Sequence, residues 1–368
     1  MILDTDKFST ACQSILTAID SKNVSLYTET MELVANGTVL SMNVTNREYF
    51  VTVNFDLPAS ETFKASINAE LFLKLISKIT SPTIELTIEG NAVKIEGNGT
   101  YKIPFTYNNS SMFELPKIAI NNVTDTMTIK SSILQSILQY NSKELQRGTA
   151  VRPVQKYFYL DEDGCITFTS GACVNSFKLQ KPIKVLLGEK VVKLFKLFKD
   201  VEDVEFSIGV DQVTPEISQT KVKFVGGGVE LTAILADAGL VSEVPVQVIR
   251  GMTTKQYAKS VKVNRKVLLE SLTRLMLFNE TKNYGKLTFT PTSIEISDWG
   301  GDNKEKVPLI DTVENLSYYA VLNMATLNLV ISGCEDEELE ISFGDSKAFV
   351  FKKQSICDII PEIKASVA

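Results

Sequence analysis

A helix followed by an alternating strand and a turn recurs in this chain at very long intervals. The unit occurs as AELFLKLISKITSPTIELTIEG (69–90), EKVVKLFKLFKDVEDVEFSIGV (189–210) and MATLNLVISGCEDEELEISFGD (324–345). Ile84, Val204 and Leu339 occupy equivalent places in it, 120 and 135 residues apart. Solenoid repeats run only about 20–50 residues. The longer period therefore predicts three whole domains of one fold.

A second helix-and-strand unit precedes each of these. Its helices are predicted at 6–20, 131–144 and 264–280, each leading to strands around a turn. Val39, Ile166 and Ile294 are equivalent in it, 127 and 128 residues apart. Each domain should thus be α+β, with two helices packed on antiparallel strands. The predicted domains span 1–121, 122–251 and 252–368. Accidental similarity of amphipathic units is the alternative, and the repeated order argues against it.

The composition argues against an enzyme. Histidine is absent from the 368 residues, which removes the commonest general base and the usual zinc ligand. The acidic runs 161–163 and 335–338 sit at predicted turns and lack the residue spacing of a calcium loop. We therefore expect no catalytic residue, no metal and no cofactor. Without a long apolar run or a signal-peptide pattern, a cytoplasmic protein is expected.

Several stretches resemble the beta sliding clamp of bacterial DNA polymerase III. KVNRKVLLESLTRLMLFNE (262–280) resembles the opening helix of that family's third domain, and IPFTYNNSSMFELPKI (103–118) resembles the close of its first. The stretch 152–179 is similar to a second-domain segment in which Arg-Pro leads to an A-T-D-G-H-R-L turn. Only Thr169 and Gly171 keep that turn's residue types. The end, ICDIIPEIKASVA (356–368), resembles the family's terminus up to its proline.

This resemblance implies a DNA polymerase processivity factor. Three tandem clamp domains would pair head to tail in a homodimer, giving a six-domain ring with helices inside and sheets outside. Such a ring encircles double-stranded DNA without sequence specificity, is loaded by an ATPase clamp loader and tethers the replicative polymerase. The divergent motifs suggest a phage, plasmid or otherwise remote member of the family. The alternative is a repeat-built structural or adaptor protein without DNA, such as a virion component.

The ring predicts that basic residues on or just after the helices face DNA. On the helix near 190–199, Lys193 and Lys196 lie opposite the apolar stripe of Val191, Phe195 and Phe198. An ordinary solvated face is the alternative. The net charge of −6 suits a ring held by topology better than a protein that grips phosphates. The full set of predicted DNA-facing residues is Lys22, Lys74, Lys78, Lys143, Arg147, Lys193, Lys196, Lys266 and Arg274.

The resemblance also implies two protein interfaces. The dimer contact would join the edge strand of the first domain to the end of the third domain's opening helix. Its predicted residues are Tyr101, Ile103, Phe105, Leu277 and Phe278. A pocket for short apolar peptides of partner proteins would lie between the second and third domains. Its predicted residues are Val154, Thr169, Gly171, Val174, Val241, Pro245, Val246, Ile359, Ile360 and Pro361. Ordinary core packing is the alternative for this second set.

Overall fold

Helices packed on antiparallel sheets make up the structure, which is a computed structural model. It describes residues 1–22, 24–148, 150–214, 216–278, 283–334, 336–344 and 347–363. Within them, the order strand, helix, three strands recurs twice in the second and third repeats, and the first repeat follows the same plan with fewer, longer strands between its helices. The α+β prediction with three tandem copies is therefore confirmed.

The first repeat differs from the others in using two long strands between its helices. β2 and β3 take the place of the four strands found there in the later repeats, and their register shifts between Gly37 and Val39. Gly37 has a φ of +64°, a conformation that favours glycine. The elements are β1 (Ile2–Asp4), α1 (Thr5–Leu16), α2 (Leu26–Glu29), β2 (Thr30–Thr45), β3 (Tyr49–Asn68), α3 (Ala69–Ile76), β4 (Thr83–Glu89), β5 (Ala92–Glu96), β6 (Thr100–Pro104), β7 (Tyr107–Asn108) and β8 (Ser111–Met112).

The second repeat has short α-helices continued by other helical turns. A π-helix, Ile137–Asn141, joins the two parts of its first helix, and 3-10 turns span Pro153–Lys156 and Leu194–Phe198. The elements are β9 (Val123–Lys130), α4 (Ser131–Ser136), α5 (Ser142–Arg147), β10 (Tyr157–Asp161), β11 (Gly164–Phe168), β12 (Ala172–Ser176), β13 (Lys184–Gly188), α6 (Glu189–Lys193), β14 (Asp203–Thr214), β15 (Ile217–Gly226) and β16 (Val229–Ile234).

The third repeat follows a 3-10 turn at Ala238–Glu243 and a linking helix. The elements are α7 (Val246–Thr254), β17 (Lys259–Asn264), α8 (Arg265–Met276), β18 (Tyr284–Phe289), β19 (Ser293–Ser297), β20 (Lys304–Pro308), β21 (Tyr318–Asn323), α9 (Met324–Ser332), β22 (Glu338–Phe343), β23 (Ala348–Lys353) and β24 (Ile356–Pro361). All six helices predicted from the two recurring units are present.

Four of these helices begin in the same way. An Asp or Asn at the end of a strand accepts a hydrogen bond from the backbone N–H three residues later, which satisfies a free donor of the first helical turn. The capping residues are Asp4, Asn68, Asn264 and Asn323. The chain can therefore turn from strand to helix without an intervening loop.

The described residues form two compact units. The first comprises Met1–Gln135 and Lys190–Asp237, and the second comprises Ser136–Glu189 and Ala238–Ala368. Each unit contains a sheet with strands from two of the predicted domains. In the first unit the order is β2-β3-β16-β15-β14-β9, and in the second it is β13-β10-β11-β12-β24-β23-β22-β17. The boundaries at residues 121 and 251 stay predictions.

Strand alternation divides the six-stranded sheet into two unlike faces. The face towards the helices is apolar and buried, with Met42, Val51, Phe206, Phe224 and Leu231 among its residues. The other face carries serine, threonine, asparagine and charged side chains. Because successive side chains point to opposite faces, this polar face is set by the same strands that form the core.

Candidate nucleic-acid interface

In the first unit, the lysine-bearing helix turns its charges away from the core. Val191, Phe195 and Phe198 are at most 2% exposed, whereas Lys193 and Lys196 are exposed. Phe195 packs edge-on against Phe224 of the six-stranded sheet, with ring centroids 5.1 Å apart. The predicted orientation of this helix is confirmed. Contact with DNA stays a prediction.

A groove of about 290 Å³ runs between this helix and α1. Lys196, Lys199 and Asp200 line one wall, with Lys199 Nζ 3.9 Å from the Asp200 carboxylate, and the polar stripe of α1 lines the other. The stripe consists of Thr10, Gln13, Ser14 and Thr17, spaced as one helical face. The hydroxyls of Thr10, Ser14 and Thr17 donate to carbonyl oxygens of their own helix. The lysines are therefore the cationic donors that the groove offers to a phosphate.

The sequence reasoning missed the α1 stripe and left Lys199 out of the site. The signal was available, because residues 10, 13, 14 and 17 repeat at helical spacing and carry no charge. Reasoning that searched only for Lys and Arg could not find it.

The other predicted lysines of the first unit are exposed. Lys74 pairs with Glu70 at 2.5 Å, which cancels much of its charge. Lys22 and Lys78 make no ion pair among the described residues. Both stay candidates for phosphate contact.

In the second unit, the structure corrects the assignment of Arg147. Its side chain is only 2% exposed, and its Nη1 donates to Glu144 at 2.9 Å and to Asp358 at 2.7 Å. A guanidinium held by two carboxylates in the interior cannot contact DNA phosphates. Lys143 is half-buried next to it, and burial lowers the pKa of its ammonium group, as do the charges of Lys353 and Arg147.

The remaining predicted DNA-facing residues of the second unit lie on α8. Lys266 is 80% exposed and 4.0 Å from Glu270, so it stays available. Arg274 is 54% exposed, but its Nε and Nη2 donate to the two carboxylate oxygens of Glu305 at 2.6 and 2.9 Å. This two-point contact fixes the guanidinium against β20 and reduces its net charge towards solvent.

Arg147 belongs to a buried polar network beneath α5. Asp358 of β24 accepts from Arg147 and also from Lys353, at 2.9 Å. Burial alone would raise the pKa of Asp358, but these two cations hold it below its usual range. Glu144 accepts from the Thr169 hydroxyl at 2.7 Å. Burial raises the pKa of Glu144, because Arg147 and Thr169 offset only part of its lost hydration.

The predicted peptide-pocket residues do come together in the second unit. β12 pairs with β24, which sets Ala172 opposite Ile359. A Cβ at Gly171 would lie 2.3 Å from the Ile359 carbonyl oxygen, so the turn requires glycine there. Gln155 Nε2 donates to the Thr169 carbonyl oxygen at 2.8 Å, which joins the segment of Val154 to the same turn.

Several of these side chains are nevertheless core residues. Val154, Val174, Ile359 and Ile360 are at most 4% exposed, and Ile360 packs in the apolar core of the third repeat. The structure corrects their assignment as surface contacts, because a peptide cannot reach a side chain that is already enclosed. Thr169 is 9% exposed and bound to Glu144. The partly exposed members are Gly171, Val241, Pro245, Val246 and Pro361.

The predicted dimer residues divide in the same way. Leu277 is 76% exposed and Phe278 is 57% exposed, directly after α8. Tyr101 is 37% exposed on β6, which is an edge strand of the sheet β1-β4-β5-β6. Ile103 is 2% exposed and pairs with Val93 inside this sheet. Its side chain is therefore core, which corrects its assignment, and Phe105 is half-buried.

The third repeat also has a free edge that the sequence did not reveal. β20 is an outer strand of the sheet β20-β19-β18-β21, and it pairs on one side only, with β19. β6 likewise pairs only with β5 within its sheet. Two strands with unpaired backbone groups are available for pairing with another chain.

The described residues contain no cluster of three or more acidic or cysteine side chains arranged to hold a metal ion. None of the helices in this part of the chain combines the length and apolarity needed to cross a membrane.

The fold matches solved structures of bacterial sliding clamps along nearly its whole length. The DNA polymerase sliding clamp of Bacillus subtilis gives a TM-score of 0.80 at 17% identity, covering 99% of this chain and 98% of that one. The sliding clamp of Pseudomonas aeruginosa bound to griselimycin gives 0.82 at 14% identity, with 99% of both chains covered. The DNA polymerase III beta subunit of Thermotoga maritima gives 0.80 at 16%, again with 99% of both covered.

No protein-family model matches this sequence, and no curated protein matches it. The structural likeness at these identities shows the sliding-clamp fold. The predicted fold is thereby confirmed.

Proposed function

We propose that this chain is a DNA sliding clamp, a non-catalytic processivity factor that encircles duplex DNA in the cytoplasm. The observation that carries the proposal is the clamp fold over 99% of the chain. The groove beside α1 supports it, since exposed Lys196 and Lys199 lie next to an uncharged polar stripe. Such a face attracts phosphates without holding any one of them.

The clamp is proposed to close as a head-to-tail homodimer. The free edges of β6 and β20 offer complementary backbone groups, and exposed Leu277 and Phe278 offer an apolar contact beside them. A heterologous contact of this kind closes into a ring when its rotation permits. Six repeats would then surround the duplex.

Retention on DNA is proposed to be topological. The net charge of −6 disfavours a grip by neutralised phosphates. Arg147 and Arg274 are engaged by carboxylates, which leaves exposed lysines as the basic groups of the helices. A ring with few strong phosphate contacts can slide, because no single contact has to break before it moves.

The proposed partners are an ATPase clamp loader and the replicative DNA polymerase. Both would bind the second-unit cleft formed by the turn at Gly171, the residues Val241, Pro245 and Val246, and Pro361. These residues are partly exposed. An apolar peptide anchor would contribute about 25 cal/mol per Å² buried before its binding entropy is subtracted.

The decisive experiment uses nicked circular DNA carrying a primer. The protein is loaded with a clamp loader and ATP, and the mixture is separated by gel filtration in high salt. Co-elution with the circle, followed by release when the circle is linearised, is the expected result. Retention that does not depend on the circle, or an elongated particle without a central hole in electron micrographs, contradicts the proposal.

A further inference from the structure

A cleft of the first unit lies on the polar face of the six-stranded sheet. Its volume is about 580 Å³, within the range of roughly 300–1,000 Å³ typical of ligand sites. The floor is formed by side chains of β2, β3, β9, β14, β15 and β16. The segment 117–120, between the first and second repeats, forms the roof.

The roof is tied down at both ends. On one side Phe113 and Leu115 are at most 5% exposed and pack with Phe50. On the other side Asp211 accepts hydrogen bonds from the backbone N–H groups of Asn121 and Asn122, at 2.9 and 3.0 Å. The cleft is thus a built feature of the fold.

Between these ties the roof has free backbone groups. Among the described residues, 117–120 make no backbone–backbone hydrogen bond. Lys221 Nζ donates to the Ala119 carbonyl oxygen at 2.8 Å, which leaves the neighbouring amides for another partner. An extended peptide can pair with such a segment as an added strand.

The internal repeat relates this cleft to the proposed partner cleft of the second unit. There, β12 follows a hairpin turn and pairs with β24, with Ala172 opposite Ile359. In the first unit, β3 follows the corresponding hairpin turn and pairs with β16, with Phe50 opposite Thr232. The two clefts therefore occupy equivalent places in successive repeats.

The lining differs at the equivalent positions. Two residues further along the paired strands, Val174 lies opposite Cys357 in the second unit, whereas Thr52 lies opposite Glu230 in the first. The first cleft therefore has a polar floor where the second has an apolar one. Its further polar residues are Ser41, Asn43, Thr126 and Ser207.

Thr232 lies on the floor of this cleft and is 6% exposed as a residue. Its hydroxyl is not one of the enclosed unpaired groups of the described chain, so it can exchange a hydrogen bond with water or with a ligand in the cleft.

The charges of the cleft exclude a strongly ionic ligand. Lys117 and Lys223 are balanced by Glu205 and Glu230, and Lys223 pairs with Glu230 at 2.5 Å. A nucleic-acid strand would meet two carboxylates here and no excess of cations. The uncharged hydroxyl and amide groups match polar side chains of a peptide.

We propose that this cleft binds an extended peptide segment of a partner protein, with uncharged polar residues alternating with small aliphatic ones. Alternate side chains of a strand point to opposite sides, so the polar set would face the floor and the aliphatic set Ile118 and Ile120 of the roof. The inference rests on the proposed function only through the equivalence of the two clefts.

Random twelve-residue peptides displayed on phage would be selected on the full chain and titrated by fluorescence anisotropy. Thr52→Trp fills the cleft from β3, and Thr126→Trp fills it from β9. The matched control is Val246→Arg in the second cleft. We expect peptides whose affinity falls at least tenfold with either tryptophan and is unchanged by the control.

Circular dichroism melting shows whether each variant is folded. The two tryptophan substitutions enter the cleft from separate strands, so both must lower the peptide affinity in folded protein. Selection that yields only peptides sensitive to Val246→Arg overturns the proposal. The proposal is also overturned if a single-stranded oligonucleotide binds the wild type and Thr52→Trp abolishes that binding. Retention on circular DNA should be equal for wild type and Thr52→Trp. Failure of the wild type in that assay would reject the clamp function and leave the peptide result standing.

Discussion

Arg147 Nη1 lies 2.7 Å from Asp358 Oδ1, which joins a helix of the second repeat to the last strand of the third across 211 residues of sequence. Both side chains are 2% exposed. A charge pair removed from water in this way is stabilising only if both partners are present, because either charge alone would be buried without compensation. The contact ties the last strand into the second unit.

The first prediction concerns the loss of one partner of this pair. Asp358→Asn leaves Arg147 and Lys353 buried beside a neutral amide, and should lower the free energy of unfolding by about 3–5 kcal/mol. Urea denaturation measures it. Glu70→Gln, the same chemical change in the exposed pair with Lys74, is the control and should have little effect. Equal effects of the two changes would show that the buried network contributes nothing.

The second prediction is the pH dependence of this contribution. The pKa of Asp358 is lower in the folded protein than its ordinary 3.8, so its stabilisation is present above pH 3.8 and is lost as the pH falls through the folded value. The stability difference between wild type and Asp358→Asn should therefore shrink below about pH 4. Ionisation of Glu144 has the opposite effect on stability, since its raised pKa means that the charged form is disfavoured in the folded protein. A stability difference that stays constant down to pH 2 would contradict the assignment.

The third prediction tests the basic groove. Lys196→Glu with Lys199→Glu should weaken loading on primed circular DNA and reduce the salt dependence of DNA binding, by roughly one unit of log–log slope for each lysine removed. The control, Lys262→Glu with Lys352→Glu, makes the same charge change on the opposite face of the eight-stranded sheet from the helices. Equal losses in both variants would indicate a general charge effect and not a groove.

The fourth prediction concerns the dimer. Leu277→Glu with Phe278→Glu should give monomers in analytical ultracentrifugation, because charged side chains cannot be buried unpaired in the contact. Val213 and Ile217 are similarly exposed, at 58% and 57%, on the hairpin of β14 and β15. Their replacement by glutamate is the control and should leave the dimer intact. A wild type that is monomeric at micromolar concentration would contradict the ring.

The fifth prediction locates the partner peptide in the second cleft. Val246→Arg should reduce the affinity of the C-terminal peptide of the cognate polymerase about tenfold or more, because it places a charge in an apolar contact. Val248 lies on another side of α7 and is 66% exposed, so Val248→Arg is the control. Isothermal titration measures both, and unchanged affinity in the Val246 variant would place the partner elsewhere.

Local pattern alone was enough to predict the repeats, all six helices and the orientation of the apolar stripe on the lysine-bearing helix. Val191, Phe195 and Phe198 are buried, as their spacing indicated. Helical and strand periodicity is a property of neighbouring residues, so a single sequence contains it. The clamp fold itself was predicted from the resemblance of several stretches to the beta sliding clamp family.

Only the tertiary structure decided which polar and apolar residues are accessible. Arg147 occupies a helix position that looked basic and exposed, but Asp358, far away in sequence, encloses it. Ile103 looked like an interface residue but is 2% exposed, and Ile359 is enclosed where β24 pairs with β12, a strand distant in the chain. The polar cleft above Thr232 depends on strands from two repeats and on a roof anchored by Asp211. Burial depends on contacts between distant segments, and the spacing of residues along one segment does not encode those contacts.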